Sequence, residues 1–200
     1  MSSKPGPATR RPPSASAAPG LKTPCQIHPS AVIADKAKIS GPYAVEIDEN
    51  VVIHPYAEIK ANGGKVLIGR NSIVSERAVV GLSTDATSGE DQLVVLGEGV
   101  NIEVGAVIEA RSIGDGTTVD IKARVGKGAV VGRHCKIGAM EEVNADEKIE
   151  DFVVIHSGGQ RRVDKTMKEC PDIRDAKLVG QQKTLELLRK LIPNAASKWL

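Results

Sequence analysis

From Ile27 to Ile155 large aliphatic residues recur every six positions. Ile113, Val119, Val125, Val131, Ile137, Val143, Ile149 and Ile155 form one unbroken run at that spacing. Shorter blocks precede it: Ile27, Ile33 and Ile39; Ile47, Ile53 and Ile59; Ile68, Val74 and Val80; Leu96, Ile102 and Ile108. Two positions before most of them stands a smaller residue, as at Ala31, Ala37, Val51, Ala57, Ser72, Ala78, Ala106, Thr117, Ala123, Ala129 and Cys135. Side chains two apart in a strand face the same way. Each hexad therefore predicts a very short strand with one small and one large inward residue, followed by a corner. Glycine often follows the large residue, at Gly69, Gly97, Gly114, Gly126, Gly132 and Gly138, where the missing Cβ relieves crowding and permits unusual dihedrals.

Three such hexads close a triangular coil, so the pattern predicts an all-β fold: a parallel β-helix of hexapeptide repeats over residues 25–163, in roughly seven coils. Its interior is packed with Ile and Val, which makes it a solid prism rather than a channel. Interruptions of the period predict surface loops: two extra residues between Ile39 and Ile47, three between Ile59 and Ile68, and the longest from Ser83 to Gln92. One residue is missing between Ile108 and Ile113, which predicts a tightened corner. Glu141 and Glu147 occupy slots meant for small residues, which predicts departures from regularity in the last coils.

Beyond Val163 the period stops. Residues 164–179, which include Pro171, read as an extended charged connection. Leu185, Leu188 and Leu191, with Leu187 and Ile192, then recur at helical spacing. They predict a short amphipathic helix N-capped by Thr184 and closed by Pro193, with a second fragment through Trp199. Residues 164–200 thus form a C-terminal connection and helix appended to the prism.

Composition narrows the classes. The chain holds 17 Ile, 22 Val and 20 Gly but only 2% aromatic residues, which argues against a helical bundle and against base-stacking nucleic-acid modules. Residues 1–24 contain six prolines, four serines and four alanines, with Lys4, Arg10, Arg11 and Lys22 and no acid. That mixture predicts a disordered basic arm, and its prolines exclude the amphipathic helix of a transit peptide. Of 27 basic and 25 acidic side chains the arm takes four basic ones, so the rest of the chain is nearly balanced and no nucleic-acid-binding face is expected. Three scattered cysteines suit a reducing compartment, and no apolar run is long enough to span a membrane. The expectation is a cytoplasmic chain with no membrane insertion.

Four histidines are the candidates for chemistry. A γ-class carbonic anhydrase needs three imidazoles on a zinc. The two that such enzymes place five residues apart would fall on Ile121 and Gly126 here, and His134 and His156 have no third partner at a usable spacing. An acyltransferase needs a general base facing a cleft. His28 and His54 share the context isoleucine-His-Pro at a corner, which reads as turn chemistry. No catalytic, cofactor-binding or metal-binding residue is expected, and no cofactor.

Several stretches carry a resemblance: Val52-Ile53-His54-Pro55-Tyr56-Ala57-Glu58-Ile59, Asn101-Ile102-Glu103-Val104-Gly105, Ala123-Arg124-Val125-Gly126 and Ile137-Gly138-Ala139. The most specific are Gln160-Arg161-Arg162-Val163 and Thr184-Leu185 leading to Leu191-Ile192-Pro193-Asn194. Together they resemble the dynactin subunit 6 family, the left-handed β-helix subunits of the dynactin pointed end. The proline-rich arm, the residues added after Ile39 and the insertion after Val80 depart from that family's pattern. The resemblance implies a left-handed coil and a non-catalytic structural role at the pointed end. The implied partners are a sister β-helix subunit, the actin-related protein and other pointed-end subunits. It also implies support of dynein-driven cargo transport on microtubules, in the cytoplasm and cytoskeleton. Arg161, Arg162, Leu185, Leu188 and Leu191 are the candidate interface, the leucines packing either on the chain's own prism or on the sister subunit. The alternative is a hexapeptide-repeat enzyme, an acyltransferase-like or γ-carbonic-anhydrase-like homotrimer.

Overall fold

In the computed structural model, residues 23–82 and 92–200 are described. The arm up to residue 22 and residues 83–91 of the long insertion lie outside them. The hexads form a left-handed parallel β-helix with three flat faces. The first face has seven parallel strands, from Cys25–Ile27 to Lys148–Ile149. The second runs from Val32–Ile33 to Val153–His156, with Gln160–Val163 added at its end, and the third has six strands from Lys38–Ser40 to Glu142–Val143. Six complete coils and two strands of a seventh result.

The register stacks like on like. On the second face Val74 pairs with Ile102, Ile102 with Val119, Val119 with Ile137 and Ile137 with Ile155, so the large inward residues form one column. The small slots form another. Where they are polar, the hydroxyl ties successive coils together: Ser72 donates to the Gly97 carbonyl at 3.0 Å, and Thr117 to the Gly132 carbonyl at 2.8 Å. Buried hydroxyls are thus satisfied.

The two demands expected of one glycine are divided between two positions. Gly114 follows the large Ile113, and a Cβ there would meet the Gly132 carbonyl carbon at 2.6 Å, so close stacking is what requires glycine. The positive φ falls two residues later, at Gly116 (φ 63°) and in the same place at Asn71 (φ 59°) and His134 (φ 53°). At the shortened corner the amides of Arg111 and Ser112 both point to the Ala129 carbonyl, at 2.8 and 3.4 Å.

The C-terminal segment differs from the expectation. Residues 165–191 are almost wholly helical: α1 spans Lys165–Glu169 and α2 spans Pro171–Leu191. Asp164 caps α1 by accepting the Met167 amide at 3.0 Å. Pro171 opens α2 instead of interrupting a connection, because proline's fixed φ and missing N–H cost nothing at the first helical position. Thr184 is no N-cap; it lies inside α2, its hydroxyl donating to the Gly180 carbonyl at 3.1 Å. The helix ends before Pro193 as expected, and the fragment toward Trp199 is a short 3₁₀ turn, Ala196–Lys198.

Candidate partner interface

Helix α2 lies on the second face and runs back along the stack. Leu185 is only 3% exposed, packed with Val32, Val52 and Ile73, the outward residues of the first three coils. Leu188 and Ile192 flank that cluster and are partly buried. Further toward its N-terminus the helix reaches the prism through polar groups: Gln181 donates to the Asn71 carbonyl at 2.9 Å and Lys177 to the Gly116 carbonyl at 2.7 Å. In its last turn Arg189 donates to the Asn50 side chain at 3.0 Å. Burial pushes the Lys177 amine below its ordinary value, with Lys136 acting the same way and Asp120 and Asp164 opposing. Leu191 is 66% exposed, so of the three candidate leucines it is the one whose side chain faces solvent.

Beyond α2 the chain closes the first coil. Asn194 accepts the Ile33 amide at 3.2 Å and donates to the Ala31 carbonyl at 3.0 Å, Lys198 pairs with Asp35, and Ala196 and Trp199 pack against the core. At the opposite end, Gln160–Val163 folds back antiparallel on Val153–His156. Arg161 in this hairpin pairs with Glu147, and Gly158 and Gly159 in its turn donate to Glu141. Arg162 is exposed and has no ion-pair partner among the described residues.

The histidines sit apart in the fold. His28 is exposed beside Ser30 at 2.8 Å, and His156 lies next to Ser157 at 3.1 Å. His54 is half-buried, with Nε2 lacking a partner among the described residues. Burial pushes it below 6.5, against the upward pull of Glu76 and Glu103. His134 stacks on Phe152 with ring centres 5.5 Å apart, and burial, Lys177, Arg174 and Arg133 lower it, with Asp115 opposing. Among the described residues no three His, Cys, Asp or Glu side chains come together as a metal-binding group. Among the described residues no helix is long and apolar enough to cross a membrane.

The polar contacts of α2, the Asn194 clasp and the Glu141 anchor were missed by sequence reasoning. Glu141 alone left a signal, as a large residue in a small slot.

No family model matches the chain. A dynactin subunit 6 from Nematostella vectensis is 32% identical over 174 residues, which cover 84% of this chain and 89% of that protein. The chain belongs to the dynactin subunit 6 family. Another member, from Xenopus tropicalis, is 29% identical over 84% of this chain and 81% of its own length. A member from Dictyostelium discoideum is 27% identical over 88% and 87%. Among solved structures, a hexapeptide transferase family protein from Anaplasma phagocytophilum superimposes with a TM-score of 0.55 at 15% identity, covering 80% of this chain and 90% of that one. At that identity the likeness is one of fold.

Proposed function

We propose that this chain is a structural, non-catalytic subunit of dynactin, seated at the pointed end beside a sister β-helix subunit and next to the actin-related protein. In that role it supports dynein-driven cargo transport along microtubules in the cytoplasm. The observation that carries the reading is the 32% identity to a dynactin subunit 6 over 84% of the chain. A rigid prism with both ends closed by its own chain suits a part that holds others in register. Residues 25–163 are its rigid unit, and residues 164–200 are the clasp that joins its ends.

In this reading the interface draws on Arg161 and Arg162 of the end hairpin and on exposed Leu191. Leu185 and Leu188 set the position of α2 rather than meeting a partner directly. The enzyme alternative rests on neighbours such as the Anaplasma transferase-family protein, with which the chain shares a fold. Gradient sedimentation of native extract tests the proposal. The chain should sediment in a large complex, and Arg162→Glu should move it to light fractions without altering its melting. Sedimentation of the unaltered chain as a trimer of itself would favour the enzyme reading.

A further inference from the structure

The second face is covered by α2, whereas no helix or strand covers the first face among the described residues. Along this face lies a groove of about 560 Å³ that crosses the first four coils. Its floor is a column of outward residues in register: Gln26 pairs with Glu46, Glu46 with Leu67, and Leu67 with Val95. An amide and a carboxylate in the first two coils and two aliphatic side chains in the next two make it amphipathic. Asp48 adds a second exposed carboxylate beside Glu46, and neither has an ion-pair partner among the described residues.

The chain itself enters at the edge of this face. Pro24 accepts the Val45 amide at 2.9 Å, and Cys25–Ile27 is the face's first strand. The preceding 22 residues lie outside the described ones, and their sequence supplies only positive charge, with Arg10 and Arg11 followed directly by Pro12 and Pro13. Eleven residues lie between Arg11 and Thr23, and a coil of that length has a root-mean-square reach of about 18 Å. The groove spans three strand spacings, about 14 Å. Length and charge therefore match.

We propose that the groove is the docking site of the chain's own segment Arg10-Arg11-Pro12-Pro13. The guanidinium groups sit on Glu46 and Asp48, where a planar fork of donors suits a carboxylate. The proline rings lie on Leu67 and Val95, and their restricted φ lowers the entropy lost on docking. Exposed ion pairs are individually weak. Tethering raises the effective concentration of the segment to the order of millimolar, so a millimolar affinity fills the groove about half the time. A partner that uses the first face must displace the arm.

Amide chemical shifts of the full-length chain in solution test this. Arg10→Glu with Arg11→Glu should shift the amides of Leu67, Gly69 and Val95. Glu46→Lys with Asp48→Lys should shift those of Ala8, Ser14 and Ala15, and combining all four substitutions should restore both sets. About 0.5 M salt should collapse the wild-type pattern onto that of the arm variant, since screening at that strength acts within a few ångströms. Melting of each variant, and sedimentation as a monomer, accompany the comparison. Unchanged groove amides in a folded arm variant would overturn the proposal and leave the groove to another protein. Groove shifts that grow with concentration alongside a dimer would overturn it in favour of a second copy.

Discussion

Glu141 and Gly158, seventeen residues apart, are joined by a carboxylate–amide hydrogen bond of 2.8 Å, and the second carboxylate oxygen takes the next amide, Gly159, at 2.7 Å. The two glycines turn the chain back at φ 80° and 89°, and their amides need an acceptor that the turn itself does not provide. Charge-assisted bonds of this kind contribute roughly 1.5–3 kcal/mol each, less where water competes. Glu141→Ala should therefore lower stability by about 2 kcal/mol and speed amide exchange in residues 157–163, whereas Glu141→Gln should retain part of both. Exchange unchanged in the alanine variant would mean that the hairpin is held by its strand pairing alone.

Val131 is 2% exposed and points into the prism, while its neighbour Val130 points out. An unpaired lysine inside an Ile and Val column costs several kcal/mol even after it loses its proton. Val131→Lys should abolish or severely lower the thermal transition, and Val130→Lys should change stability by about 1 kcal/mol or less. Equal effects of the two would break the inward–outward register.

The period of six was legible because every coil repeats the same packing problem: a small and a large residue must fit inside one triangular layer. Nothing repeats in the clasp, and there the sequence was misleading. Helix α2 meets the prism with Leu185 and Leu188 near one end but with Lys177 and Gln181 further back, bonded to corner carbonyls, so the apolar stripe is visible over only its last turns. Pro171 looked like an interruption because its meaning depends on whether a helix starts there. Glu141 and Glu147 broke the small-slot rule where the stack runs out. At that end no further coil crowds the slot, and the carboxylates are free to bind the hairpin.

Helix α2 also brings cations close to His134, an imidazole already held below its ordinary 6.5 by burial and then by Lys177, Arg174 and Arg133. The unfolded chain takes up a proton near 6.5 and the folded one resists it, so stability from this group is complete above that value and is lost as pH falls below it. His54, also lowered chiefly by burial, acts with the same sign. The urea midpoint should fall between pH about 7.5 and 5.5, and less so in His134→Gln. A midpoint that rises on acidification would contradict the placement of His134 among those cations.

Truncation after Gly180 removes Leu185, Leu188, Ile192, Asn194 and Trp199 together, uncovering Val32, Val52 and Ile73 and opening the first coil. Lost apolar burial of roughly 3–6 kcal/mol should lower the melting temperature of the isolated chain, and the bared face should bind the dye ANS. Melting that is unchanged by the truncation would mean that α2 does not pack on its own prism in solution.

The subunit reading is tested most directly by mass spectrometry of the chains that co-purify with this protein from native extract without cross-linking. Recovery of actin-related protein and further dynactin chains in fixed proportion to this one is the expected result. Recovery of this chain alone, as a homotrimer, would contradict it.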